Sequence, residues 1–285
     1  MIPSKFDYVR PDSIDEAVRA LASGGDDAKV IAGGQSLMPL LRMRLANPEK
    51  LVDLGGLGEL RGVRDIGPAL EIGAMTTYYE AGRDYLIRQH CGLIAQATAT
   101  IADPAVRHRG TIGGGLAHAD PAGDMPAVIA ALDATLVVRG PSGEREITPA
   151  GFFSDYLTTT LEPGEILTAV RVPKLDGWGY RYEKFNVTAQ AWAVVGVAAI
   201  ARRADGHVAE ARVALTNMGS VPIRARAVEA AAAGAEASAA ALAAAAAHAD
   251  DGTSPPSDLR AAADYRRHLA RVLAGRALAA AAGAT

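Results

Sequence analysis

The first clear period along the chain is helical. Ile14, Ala17, Val18 and Leu21 follow Ser13-Ile14-Asp15-Glu16, which has the Ser-x-x-Glu spacing of a capping box, and Gly24-Gly25 closes the run. A helix is predicted there. Lys29-Val30-Ile31-Ala32 then predicts a strand, the stretch through Met43 a short helix, and Leu51-Val52-Asp53-Leu54 a second strand before Gly55-Gly56. These pieces make a small α/β unit.

From Leu60 the pattern turns to hairpins and helices. Leu60–Arg64 and Ala69–Gly73 predict paired strands across Asp65-Ile66-Gly67-Pro68, and helices are predicted over Thr77–Arg88, Leu93–Ile101 and Met125–Leu132. Strands follow at Thr135–Arg139 and Glu144–Thr148, and Glu165–Val172 alternates with period two up to Pro173. Beyond a boundary at Pro173–Gly179, the segments Tyr180–Asn186, Trp192–Arg202 and Val208–Thr216 predict an antiparallel meander. Helices are then predicted over Arg224–Ala233, Glu236–Ala247 and a last segment capped by Ser257-Asp258, with Leu259, Ala262, Ala263 and Arg266 in its first turns. Alanine dominates this end. Because alanine is the strongest helix former, and Leu242, Leu259, Tyr265, Leu269, Val272 and Leu273 mark a buried face, it reads as packed helix with a frayed tip.

Two glycine clusters interrupt these patterns. In Ala32-Gly33-Gly34-Gln35-Ser36 a β-branched run meets a helix start through two glycines, an arrangement that points backbone N–H groups at an anion. In Thr111-Ile112-Gly113-Gly114-Gly115 three glycines remove every Cβ, so an incoming group can approach the backbone. Singly, each is an ordinary turn; together they suit a ligand with two phosphates. Asp124, just before the Met125-Pro126 helix start, could cap that helix or accept from a ribose. His118 stands near the second cluster as a structural histidine or a cofactor contact, and Arg107-His108-Arg109 as a solvated charge cluster, a diphosphate neighbour or a docking surface.

Composition narrows the class. At 285 residues, 49% hydrophobic and 21% charged, the chain is an ordinary globular protein with room for subdomains, and its formal net charge of −3 with scattered Lys and Arg argues against nucleic acid as a partner. The single cysteine, Cys91, can make neither an internal disulfide nor an iron–sulfur cluster, so a cluster would have to come from a partner. No charged-then-apolar leader pattern and no apolar run of spanning length occurs, which gives the expectation of a cytoplasmic protein, with membrane docking open only through a partner.

The two clusters, with Met1-Ile2-Pro3, Phe6-Asp7-Tyr8, Ile72-Gly73-Ala74-Met75-Thr76-Thr77, Ile101-Ala102-Asp103-Pro104, Tyr182-Glu183-Lys184-Phe185 and Leu215-Thr216-Asn217, resemble the FAD-binding medium subunit of the molybdenum hydroxylases, above all its aerobic carbon monoxide dehydrogenase branch. The resemblance implies an α+β chain: a two-part FAD-binding fold of the vanillyl-alcohol-oxidase/PCMH type in subdomains 1–58 and 59–175, then a C-terminal domain, 176–285, of a three-stranded antiparallel sheet plus helices. It implies FAD contacts from the amides of Ala32, Gly33, Gly34, Gln35 and Ser36 and from Thr111, Gly113, Gly114 and Gly115. Asp124 is expected on an FAD hydroxyl, Ile101 and Ala102 against the adenosine, Leu167 as an apolar contact and Lys184 near the flavin ring, where a cation stabilises charge gained on reduction.

The chain also departs from the family pattern. Relatives often have His where Gln35 stands, Asn at Gly115, an Arg and an Asp where Val187 and Ala191 stand, and Tyr where Trp192 stands. Trp192 is read either as a ring beside the isoalloxazine or as a strand tryptophan in the core. The implied function is electron transfer in a dimer of heterotrimers. Electrons would come from a molybdenum cofactor in a large subunit, pass through [2Fe–2S] clusters in a small subunit to this FAD, and leave to a quinone or other carrier. A self-standing FAD oxidoreductase and a flavin-free assembly subunit are the alternatives.

Overall fold

The computed structural model describes residues 2–284; Met1, where the resemblance begins, lies outside them. The first part holds β1 (Asp7–Val9), α1 (Ile14–Gly24), β2 (Ala28–Ile31), α2 (Leu37–Arg42) and β3 (Lys50–Asp53). The three strands run parallel with β3 in the middle, which is why Leu51 and Val52 are buried on both sides. Ala17, Val18 and Leu21 of α1 pack onto them in one small core. The capping box is half realised: Ser13 Oγ accepts from the Glu16 amide at 3.2 Å, but Glu16 reaches back to the Asp12 amide.

The second part is larger. It begins with β4 (Val63–Asp65), β5 (Ala69–Gly73), α3 (Tyr78–Ala81), α4 (Tyr85–His90), α5 (Gly92–Thr98), α6 (Pro104–Arg107), α7 (Ile112–His118) and α8 (Asp124–Ala131). It closes with β6 (Thr135–Gly140), β7 (Gly143–Ile147), α9 (Pro149–Phe152), β8 (Phe153–Asp155), β9 (Thr158–Thr159) and β10 (Ile166–Pro173). The main sheet is antiparallel in the order β4-β5-β10-β6-β7, with β10 central. The single helix expected over Thr77–Arg88 is broken in two, because Asp84 accepts from the Ile87 amide at 3.1 Å and caps a new helix. The strand expected at Leu60 begins at Val63, and Leu60 turns inward to the core.

In the third part β11 (Gly179–Phe185), β12 (Val195–Ala204), β13 (His207–Thr216) and β14 (Ile223–Arg224) form an antiparallel sheet in chain order. The sheet thus has four strands, the last too short to announce itself by alternation. One face of β12, with Val197, Ala199 and Ala201, packs on α10 (Arg226–Ala232), α11 (Ala239–Ala245) and α12 (Ala263–Ala281). The other face, with Ala198 and Ile200, joins the core of the second part.

Two expectations fail here. Trp192 precedes β12, is 44% exposed and is not a core strand residue. The last helix starts at Ala263, not at Leu259, which is fully exposed, and Tyr265 is half exposed. The cause is local: Asp258 accepts from the amides of Arg260 and Ala261 and binds the buried Arg266 guanidinium, while Ser257 Oγ takes the Ala263 amide, so these residues brace a turn ahead of the helix. The alanine-rich end is otherwise packed, with Leu242, Leu269 and Leu273 buried. Thr285, part of the expected frayed tip, lies outside the described residues.

Candidate functional site

The first glycine cluster leaves β2 at Ile31 and enters α2 at Leu37. Gly34 takes φ +75°, so successive amides turn to one side, and the N–H groups of Gly33, Gly34, Gln35 and Ser36 have no acceptor among the described residues. Unspent amides in such a turn make an anion-binding concavity. Gly33 is required by contact: a Cβ there would stand 2.0 Å from the carbonyl oxygen of Arg109. The two glycine clusters are thereby pressed together.

The second cluster is not a loop. Ile112–His118 is a helix whose N-cap is Thr111, with Thr111 Oγ1 accepting from the Gly114 amide at 3.0 Å. Its remaining first-turn amides are also spent: Ile112 on the Thr76 carbonyl, Gly113 on the Ala74 carbonyl and Gly115 on the Thr111 carbonyl. Its glycines therefore act by close packing. A Cβ at Gly113 would meet Ala74 Cβ at 2.4 Å, one at Gly114 would meet Thr111 Oγ1 at 2.7 Å and one at Gly115 the Tyr78 hydroxyl at 1.9 Å. Sequence reasoning assigned this cluster the same grip as the first, whereas its amides are bonded within the chain.

A cleft of about 470 Å³ lies between the clusters, and Ala32, Gly33, Gly34, Gln35, Ser36, Thr111, Gly114, Gly115 and His118 line it. Volume, unspent amides and bare glycine walls fit the diphosphate part of a dinucleotide such as FAD. Two contributors escaped the sequence reading. Leu161-Glu162-Pro163-Gly164 forms another wall, and its Pro-Gly pair signalled only a turn; Tyr78 reaches in from the first turn of α3. Arg107 does not face this cleft; its guanidinium donates to the carbonyls of Ile101 and Ala102 and holds Ala102 in a left-handed turn, φ +42°. His108 stacks on Tyr79 with ring centroids 3.8 Å apart.

The remaining candidates gather elsewhere. Asp124 opens α8 and is buried; it is not the N-cap, because both its oxygens are engaged by β11. Tyr182 donates to Oδ1 at 2.5 Å and Lys184 Nζ to Oδ2 at 2.8 Å, with Lys184 also donating to the Thr100 carbonyl at 3.1 Å. Gly196 on β12 makes room for the Tyr182 hydroxyl, which a Cβ would approach to 2.6 Å. Burial pushes the Asp124 carboxyl above the usual carboxylate range, against the pull of Lys184 and Tyr182. Lys184 thus joins Asp124 to the turn that carries Ile101 and Ala102. Leu167 is buried in β10 beside a register shift, and Trp192 stands exposed between β11 and β12. Cys91 is buried, its thiol pushed up to about 12 by desolvation, so it behaves as a packing residue.

Known proteins share this architecture. Residues 4–175 match the family described as the FAD binding domain in molybdopterin dehydrogenase, and residues 180–281 match the CO dehydrogenase flavoprotein C-terminal domain. The carbon monoxide dehydrogenase medium chain of Hydrogenophaga pseudoflava is 40% identical over 282 residues, spanning 99% of this chain and 98% of its own. Reconstituted CO dehydrogenase from Oligotropha carboxidovorans superposes with a TM-score of 0.97 at 38% identity, covering 100% of both chains. Quinoline 2-oxidoreductase from Pseudomonas putida 86 superposes with a TM-score of 0.95 at 33% identity, covering 99% of each.

Proposed function

As this chain belongs to the FAD-binding medium subunits of the molybdenum hydroxylases, and so is a flavoprotein subunit of an oxidoreductase, we propose that it is the electron-exit station of its complex. It takes electrons that originate at molybdenum in a large partner subunit and arrive through [2Fe–2S] centres in a small one, and it passes them to a quinone or other carrier. The assembly is a dimer of such heterotrimers. The observation that carries this reading is the convergence of the two glycine clusters on one cleft with unspent amides at Gly33–Ser36.

FAD, when bound, can accept electrons one at a time and release two, which links single-electron clusters to a two-electron acceptor. The chain's own residues have the simpler task of holding it. The amides of the first cluster bind the diphosphate, and Gly114 and Gly115 line the wall facing them. Lys184 has spent two of its three N–H donors and keeps one for the flavin side. Among the described residues no group of three His, Cys, Asp or Glu side chains is placed to hold a metal, and the lone cysteine cannot ligate a cluster. In this reading the substrate is selected in the large subunit. No helix among the described residues is long and apolar enough to cross a membrane.

The test is the visible spectrum of the chain purified gently from its native cell, with a gel of the same sample. Flavin bands with a broad iron–sulfur shoulder and two further chains are expected. Flavin on a solitary chain would favour a self-standing oxidoreductase, and a colourless chain would end the flavin assignment. Trp192, exposed in the segment between β11 and β12, is placed in this reading as a shield on one flavin face. Trp192→Ala should change the rate at which oxygen or a dye reoxidises the reduced flavin while moving stability by no more than about 0.5 kcal/mol, as for other surface changes; an unaltered reoxidation rate removes this role.

A further inference from the structure

Tyr78 is held more firmly than a wall residue needs to be. It is the first residue of α3, behind a complete capping box in which Thr77 Oγ1 accepts from the Glu80 amide and Glu80 accepts from the Thr77 amide. Its own amide donates to the Gly110 carbonyl at 2.9 Å, and Thr77 bridges to Thr111, so the residue is pinned to the start of the second glycine cluster. Two glycines then make a slot for its side chain. A Cβ at Gly110 would press on the ring at 3.1 Å, and a Cβ at Gly115 would stand 1.9 Å from the hydroxyl oxygen. The phenol thus occupies the space that any side chain at position 115 would fill.

The ring is 8% exposed and lines the cleft, yet the hydroxyl has no hydrogen-bond partner among the described residues. A hydroxyl fixed in so constrained a slot, open to the cleft and spent on no group of the chain, is placed to donate to an acceptor on a ligand there. We infer that Tyr78 is a cofactor-binding residue whose hydroxyl donates to an oxygen of the FAD held in the cleft, in place of a polar side chain at Gly115. Burial, and then the nearby Asp124 carboxylate, push its pKa well above that of free tyrosine, which keeps it a donor at any physiological pH. The inference rests on the flavin reading above, and it explains why glycine is tolerated at a position where the resemblance has asparagine.

The experiment is titration of the full chain, freed of flavin, with FAD, followed by quenching of flavin fluorescence, with thermal melting of the flavin-free form beside it. Tyr78→Phe removes one oxygen and should weaken FAD binding about tenfold, the upper range for a single net hydrogen bond, while melting without FAD stays as in the unaltered chain. Gly115→Asn alone collides with the phenol and should weaken binding more. Tyr78→Gln combined with Gly115→Asn frees the slot for the new amide and should regain most of the affinity, a non-additivity expected of two residues sharing one space. Equal affinity of Tyr78→Phe and the unaltered chain overturns the role of Tyr78 and leaves the flavin reading standing. An unaltered chain that takes up no FAD overturns both.

Discussion

At the scale of single residues, the Asp124–Lys184 pair adds a structural role to two residues that the sequence offers for the cofactor. The fold binds them to each other across α8 and β11, both side chains nearly buried. Removing one member of such a pair leaves a charge uncompensated and typically costs about 3–5 kcal/mol. Lys184→Met is therefore expected to lower the urea midpoint of the chain by a corresponding amount, and adding Asp124→Asn should recover part of the loss. The variant also has a pH signature. Without the ammonium, burial acts on the carboxyl with less opposition, so its folded pKa lies further above the unfolded value. The stability of the neutral acid is then full below the unfolded pKa and lost as pH rises through the folded one. Lys184→Met should become progressively weaker from the ordinary carboxylate range upward through neutrality, and a flat urea midpoint across that range would contradict this assignment of charges.

At the scale of elements, the two glycine clusters look alike in sequence and behave differently in the fold. The first keeps its amides unspent, and the second uses all of its own in starting α7. Amide hydrogen exchange should separate them: without FAD, the Gly33–Ser36 amides exchange fast and Ile112–Gly115 slowly, and adding FAD should protect the first group strongly and the second little. Comparable protection of both on adding FAD would mean that the second cluster also grips the ligand. Gly33→Ala tests the contact between them, because its Cβ must displace the Arg109 carbonyl. The expected result is about 1–3 kcal/mol of lost stability, the usual cost of overpacking, together with loss of FAD binding. Sequence patterning revealed the existence and type of these elements well wherever a period was long, as in α1 or in the alternation of β10. It could not reveal that Gly113 packs on Ala74, that Asp84 restarts a helix, or that Asp258 braces a turn around Arg266, because each depends on a partner distant in sequence or on a side chain competing locally with the helix. Tyr78 lay hidden for the same reason: nothing in Thr77-Tyr78-Tyr79 announces that Gly110 and Gly115 have cleared a slot for its side chain.

At the scale of the whole molecule, the three parts are unequally joined. The third part shares its core with the second, since Tyr182, Ala198, Ile200 and Ala214 pack among residues of α5 and α8. The first part has a small core of its own, into which the second sends Leu60, Met75 and Ile166. A unit of about 60 residues buries too little surface to be more than marginally stable by itself, and it meets the rest on two sides: at α1, where Asp15 pairs with Arg139, and along the cleft, where Gly33 meets Arg109. A ligand seated there touches both sides and must add its binding energy to their association, about 2.7 kcal/mol at a hundredfold excess over the dissociation constant. Calorimetry of the flavin-free chain should therefore show the first part melting ahead of the remainder. With excess FAD the early transition should rise and merge with the later one. A single transition that moves as a whole would mean that the first part is coupled to the second through more than the cleft, and that FAD stabilises the molecule without acting as the clamp between its parts.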